Sequence, residues 1–66
     1  MRIIVNGDPQ EMLDGLCVTD LLRRLELKRG QIVVEVNRNI IHPSSDDHFV
    51  LSEGDQVELI QFVGGG

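Results

Sequence analysis

One thiol, Cys17, two imidazoles, His42 and His48, and a closing run of three glycines are the parts of this 66-residue sequence that could carry chemistry. A lone thiol could relay sulfur or respond to redox, but it cannot form an internal disulfide. Cys17 begins a segment with an apolar stripe, so the plainer reading is a partly buried residue at a helix start. His42, Asp46, Asp47 and His48 crowd one polar stretch, "HPSSDDHF". Their spacing matches no established metal motif, and polar loops collect such residues routinely. No Ser/His/Asp or Cys/His arrangement makes a catalytic case. The end, "ELIQFVGGG", is different. Gly64, Gly65 and Gly66 have no side chains, so what they offer is a pliable backbone and a carboxylate. A carboxylate is activated as a mixed anhydride with AMP, which requires it to reach the α-phosphate of ATP. Glycine suits a tail that threads a narrow channel in another protein, because it adopts any φ/ψ and has no side chain to clash. The competing reading is a frayed terminus.

The elements that would hold this tail can be read from periodicity. Ile3, Ile4 and Val5 form a strand, Asn6-Gly7 is a hairpin turn signal, and a second strand covers about Gln10 to Leu13. Pro9, with no backbone donor, suits an edge or a turn. Val18, Leu21, Leu22 and Leu25 recur at i, i+3, i+4 and i+7, the stripe of an amphipathic helix. Two starts fit: Thr19 is an ordinary N-cap type but would leave Val18 outside the helix, whereas Cys17 at the N-cap, the preferred placement, keeps Val18 on that stripe and puts Asp20 at N3, where a carboxylate favours the helix dipole. Lys28 and Arg29 suit its C-terminal end, and Gly30 its stop. "QIVVEVN" is a β-branched strand, "NRN" a turn, Ile40-Ile41 a short strand and "SEGD" a turn. "QVELIQFV" is the last strand and apolar almost throughout, which places it at the centre. Side chains alternate along it, so Val57, Leu59 and Gln61 share one face and Glu58, Ile60 and Phe62 the other. With Val57 and Leu59 toward the helix, Ile60 and Phe62 face outward as a partner-docking patch.

This order, β-β-α-β-β-β, predicts an α+β fold: a mixed five-stranded sheet with one main helix across it. First and last strands pair in parallel at its centre, as in the ubiquitin-like β-grasp. The expected organisation is one domain over residues 1–63 and a flexible glycine tail over 64–66. A chain of this size has little volume to spare for an enclosed active site. A formal net charge of −5 and two aromatics, both Phe, argue against nucleic acid. No apolar run approaches the roughly 20 residues that span a bilayer. The start lacks a signal-peptide pattern, and a single cysteine fits a reducing cytoplasm.

The whole chain resembles the ThiS family of ubiquitin-like sulfur carriers in thiamine biosynthesis. The resemblance runs through "IIVNGD", "VTDLLRRL" and "IVVEVNRNII", and is most specific in "LSEGDQVELIQFVGGG". Gly65 and Gly66 match the family's C-terminal Gly-Gly, and Gly64 is a third glycine that some members share. Cys17 departs from the threonine that members often carry at the helix start. The resemblance implies that a separate E1-like adenylating enzyme uses ATP and magnesium to convert the Gly66 carboxylate to an acyl-adenylate. Sulfur from a cysteine desulfurase or related donor then displaces AMP, and thiazole synthase takes sulfur from the resulting thiocarboxylate. Gly66 is then an acceptor site in a carrier that is not itself an enzyme, with Gly64 and Gly65 threading the partner's active site. Ile60 and Phe62 would be gripped by both partners. The rival with the same fold and ending is the small subunit of molybdopterin synthase. Those proteins are usually longer and often have a proline before the tail, which "QFVGGG" lacks. Other sulfur carriers, a lysine-conjugated protein modifier and an interaction module with an idle tail are the remaining alternatives.

Overall fold

Asn6 and Gly7 lie at φ 50° and 83°, both in the left-handed region. A two-residue turn of that kind matches the twist of the strands it joins, so pairing resumes at once. In the computed structural model, which describes residues 1–62, β1 (Arg2–Val5) therefore pairs antiparallel with β2 (Asp8–Glu11), Val5 opposite Asp8. The second strand thus sits two residues earlier than the Gln10 to Leu13 expected from sequence. Pro9 lies within it, opposite Ile4, which is tolerated because β2 is an edge strand. Leu13 falls outside the strand and is exposed.

The helix, α1 (Val18–Arg24), starts where expected, with Cys17 as the N-cap. It ends earlier than Gly30. Glu26 takes φ 57°, the Glu26 N–H donates to the Arg23 carbonyl (3.1 Å) and the Leu27 N–H to the Leu22 carbonyl (2.9 Å). These two bonds make a Schellman stop with a glutamate in the position glycine usually fills. Gly30 instead belongs to a 3-10 turn, Arg29–Gln31. Arg23 and Arg24, rather than Lys28 and Arg29, are the cations of the last helical turn.

The chain then forms β3 (Ile32–Val36), β4 (Asn39–Ile41), a 3-10 turn at Pro43–Ser45, and β5 (Gln56–Gln61). The sheet order is β2-β1-β5-β3-β4. β5 is central, parallel to β1 and antiparallel to β3. This is the β-grasp arrangement, with α1 across one face. Val18, Leu21 and Leu22 pack there with Ile3, Val5, Ile32, Val34, Val36 and Val57. Each such side chain contributes roughly 1.5–3 kcal/mol when fully buried.

Two asparagines hold the central strand in register. Asn6 Oδ1 accepts from the Leu59 N–H (2.8 Å), and Asn37 Oδ1 from the Gln56 N–H (3.0 Å). Both residues sit at the turns preceding these contacts, with φ near 50°. Their amides extend the backbone ladders where β1 and β3 have already ended.

Beneath the sheet edge, Arg29 fastens the segment after the helix to β3, β4 and the loop beyond. Its guanidinium donates to Asp46 Oδ2 (2.7 Å) and to the carbonyls of Ile32 (2.9 Å) and Ile41 (2.6 Å). Asp46 is buried, and its Oδ1 has no hydrogen-bond partner among the described residues.

Candidate functional site: the outer sheet face

Strand alternation places Ile32, Val34 and Val36 of β3 and Val57 of β5 in the core. Val33 and Glu35, and Glu58 and Ile60, must then point to the other side of the sheet. Among the described residues no helix covers that side. The pairing of β3 with β5 arranges these residues in rows. Val33 is opposite Ile60, and Glu35 is opposite Glu58. On β4, Ile40 is opposite Glu35. Phe62 continues the line of β5: its N–H donates to the Gln31 carbonyl (2.9 Å).

The patch expected at Ile60 and Phe62 is therefore an exposed surface, at 48% and 57% of full accessibility. It is larger than those two residues. Ile40 is 72% exposed, and a groove of about 370 Å³ is lined by Val33, Ile40, His42, Pro43 and Phe62 among others. Ile40 and Val33 escaped the sequence reading because only the cross-strand register brings them beside Ile60. Alternation within β3 was the one available signal, and it places Val33 on the outer face without naming its neighbour.

The glycines expected to do the chemistry, Gly64, Gly65 and Gly66, lie outside the described residues, as does the proposed domain boundary after residue 63. What the fold does define is the strand that leads to them. β5 is held on both sides, by β1 and β3, and by two asparagines, Asn37 at its first residue, Gln56, and Asn6 at Leu59.

The other candidates have local structural roles. The Cys17 N–H and Sγ both donate to Asp20 Oδ2, each at 3.2 Å. The Cys17 thiol and then the Cys17 N–H hold the Asp20 carboxyl below its ordinary value, with a smaller contribution from Arg23, against a desolvation effect that raises it. The polar loop is dispersed among different partners. His42 Nδ1 accepts from the Ser44 N–H, Asp46 turns inward to Arg29, and Asp47 accepts from the Thr19 hydroxyl. Among the described residues no three His, Cys, Asp or Glu side chains gather as metal ligands. No helix among them is long and apolar enough to cross a membrane.

Residues 3–66 match the ThiS family. A thiazole synthase of Magnetococcus marinus is 33% identical over all 66 residues, which cover 20% of that protein. The sulfur carrier protein ThiS of Escherichia coli is 26% identical, with both chains covered in full. The chain thus spans about a fifth of the length of the thiazole synthases it matches, and the full length of the carrier. The crystal structure of the thiamine biosynthesis protein ThiS from Geobacter metallireducens superposes with a TM-score of 0.87 at 33% identity, covering 100% of each chain. A family match over nearly every residue and the same β-grasp topology in a solved member agree with the resemblance seen in the motifs, and the chain belongs to the ThiS family.

Proposed function

We propose that this chain is a sulfur carrier for thiazole formation in thiamine biosynthesis, with the Gly66 carboxylate as the sulfur-bearing group. An oxygen of that carboxylate attacks the α-phosphate of ATP in an E1-like partner, and pyrophosphate leaves. A sulfur nucleophile, delivered by a cysteine desulfurase or related donor, then attacks the acyl carbon. The bond to AMP breaks and AMP leaves; where the nucleophile is the donor's persulfide, a thiol then reduces the resulting acyl disulfide and is itself taken into a disulfide with the donor, and a thiocarboxylate remains for thiazole synthase to use. The adenylating partner supplies ATP and magnesium. This chain supplies a carboxylate on a tail that a partner channel can admit, and a rigid strand to carry it.

The observation that carries this reading is the family match over residues 3–66, which takes in Gly65 and Gly66. The full-length similarity to a sulfur carrier protein supports it. Similarity to thiazole synthases, of which this chain covers a fifth, supports thiazole synthase as the sulfur-accepting partner. The exposed face of β5, with Ile60 and Phe62, supplies a docking surface close to the tail.

The test is intact mass after incubation with ATP, magnesium, a sulfur donor and the adenylating enzyme from the same source. The expected product has one oxygen replaced by sulfur, mapped to Gly66, and deleting Gly66 abolishes it. An unmodified terminus, with the enzyme active on another carrier, refutes the reading. An isopeptide bond from Gly66 to a partner lysine would instead make the chain a protein modifier.

A further inference from the structure

Beside the apolar row on the outer sheet face stand two carboxylates. Glu35 and Glu58 are direct cross-strand neighbours in the antiparallel pairing of β3 with β5. Opposed Cβ atoms in such pairs lie roughly 4.5–5.5 Å apart, and like charges there destabilise the sheet. Neither residue has an ion pair among the described residues; Arg2 pairs with Glu11, and Arg29 with Asp46. Arg23 and Arg24 sit on the helix, which covers the other face. Neither glutamate thus meets a cation within ion-pair distance among the described residues, Arg38 of the β3–β4 turn included. Apolar side chains flank the pair on one side, with Ile40 next to Glu35 and the Val33–Ile60 pair in one adjoining row, and Gln56 lies on the other side of Glu58.

We propose that this face docks a heterologous protein that sets an arginine or lysine between Glu35 and Glu58 and covers Ile40, Ile60 and Phe62 with apolar side chains. The inference rests on the carrier reading above and adds the chemistry of the adenylating partner's surface. A guanidinium suits the place best, because its planar fork can donate to two carboxylates at once. A second copy of this chain is a poor occupant. A two-fold contact through this face would place one acidic pair against another, on chains that already carry a net charge of −5. Docking here also serves the tail. Phe62 precedes Gly66 by four residues, which span at most roughly 14 Å when extended. A partner that grips Glu58, Ile60 and Phe62 thereby limits where the carboxylate can go.

The test compares wild type with Glu35→Gln, Glu58→Gln, the double variant and Glu58→Lys. Each is titrated calorimetrically into the adenylating enzyme at several salt concentrations, and unfolded in urea. The double neutral variant should be at least as stable as wild type, because the repulsion is gone. It should nevertheless bind about tenfold more weakly or worse, with a flatter salt dependence, and Glu58→Lys weaker still. A merely structural pair would move stability and binding together. Variants that bind with wild-type affinity and salt slope, while wild type is adenylated normally, overturn this inference and leave the carrier reading intact. A wild-type chain that neither binds the enzyme nor is adenylated overturns both. Self-association of wild type that the Gln variants strengthen would assign the face to a second copy and overturn the heterologous partner.

Discussion

Replacing Arg29 by alanine should be among the most damaging single changes outside the apolar core. The Arg29 side chain is 21% exposed and that of Asp46 8%, so the pair is largely removed from water. Arg29 meets Asp46 Oδ2 at 2.7 Å, and Asp46 Oδ1 already lacks a partner among the described residues. Without the guanidinium, a buried carboxylate stands with no compensating charge, which costs about 3–5 kcal/mol. At 0.05–0.15 kcal/mol per residue, a domain this small has a total stability of roughly 3–10 kcal/mol, so the loss is between about a third of it and all of it. Asp46→Ala should be milder, about 1–2 kcal/mol. Arg29 would keep its bonds to the Ile32 and Ile41 carbonyls and some access to water. The double variant should then be more stable than Arg29→Ala alone, because the stranded carboxylate is gone. The chain has no Trp or Tyr, so urea unfolding is best followed by far-UV circular dichroism. If Arg29→Ala unfolds the chain in buffer, recovery of the fold by adding Asp46→Ala carries the comparison. A loss under about 1 kcal/mol for Arg29→Ala, or a double variant at the sum of the singles, refutes the argument.

Glu26→Gly should stabilise the domain by about 1 kcal/mol, because an exposed non-glycine residue at φ 57° closes the helix. Gly30→Ala is the matching control. It should be close to neutral in the same urea titration, since an added Cβ there meets nothing within 4 Å. Asp20→Asn should weaken the domain at neutral pH and lose that effect in acid. The Cys17 contacts lower the folded-state pKa of Asp20 from its ordinary 3.8, so the support is full above that value and disappears as pH falls through the lowered one. Urea midpoints of wild type and variant should therefore converge below about pH 4. A gap that persists unchanged in strong acid contradicts the assignment.

Much of this protein was legible residue by residue. Val18, Leu21 and Leu22 announce a helix, Asn6-Gly7 a hairpin, and the apolar run from Val57 a central strand. Each signal is local, carried by a repeat of two or 3.6 residues or by a turn that demands positive φ. The family was legible too, because its motifs run along nearly the whole chain. The limits of local reading show at Gly30, where a good helix stop is left unused because a Schellman contact from Leu27 to Leu22 ends the helix first. They show at Arg29 as well: its charge suits a helix end, yet it turns to Asp46, Ile32 and Ile41, which chain folding brings around it. The outer face followed the same rule. Alternation sends Ile60 and Phe62 outward from sequence alone. Only the register of β3 on β5 and β4 places Val33, Ile40 and the Glu35–Glu58 pair beside them. Which side a strand residue faces is a property of its own backbone. Which residue stands opposite is decided by hydrogen bonds between segments far apart in the chain, and those form only when the whole sheet closes around its core.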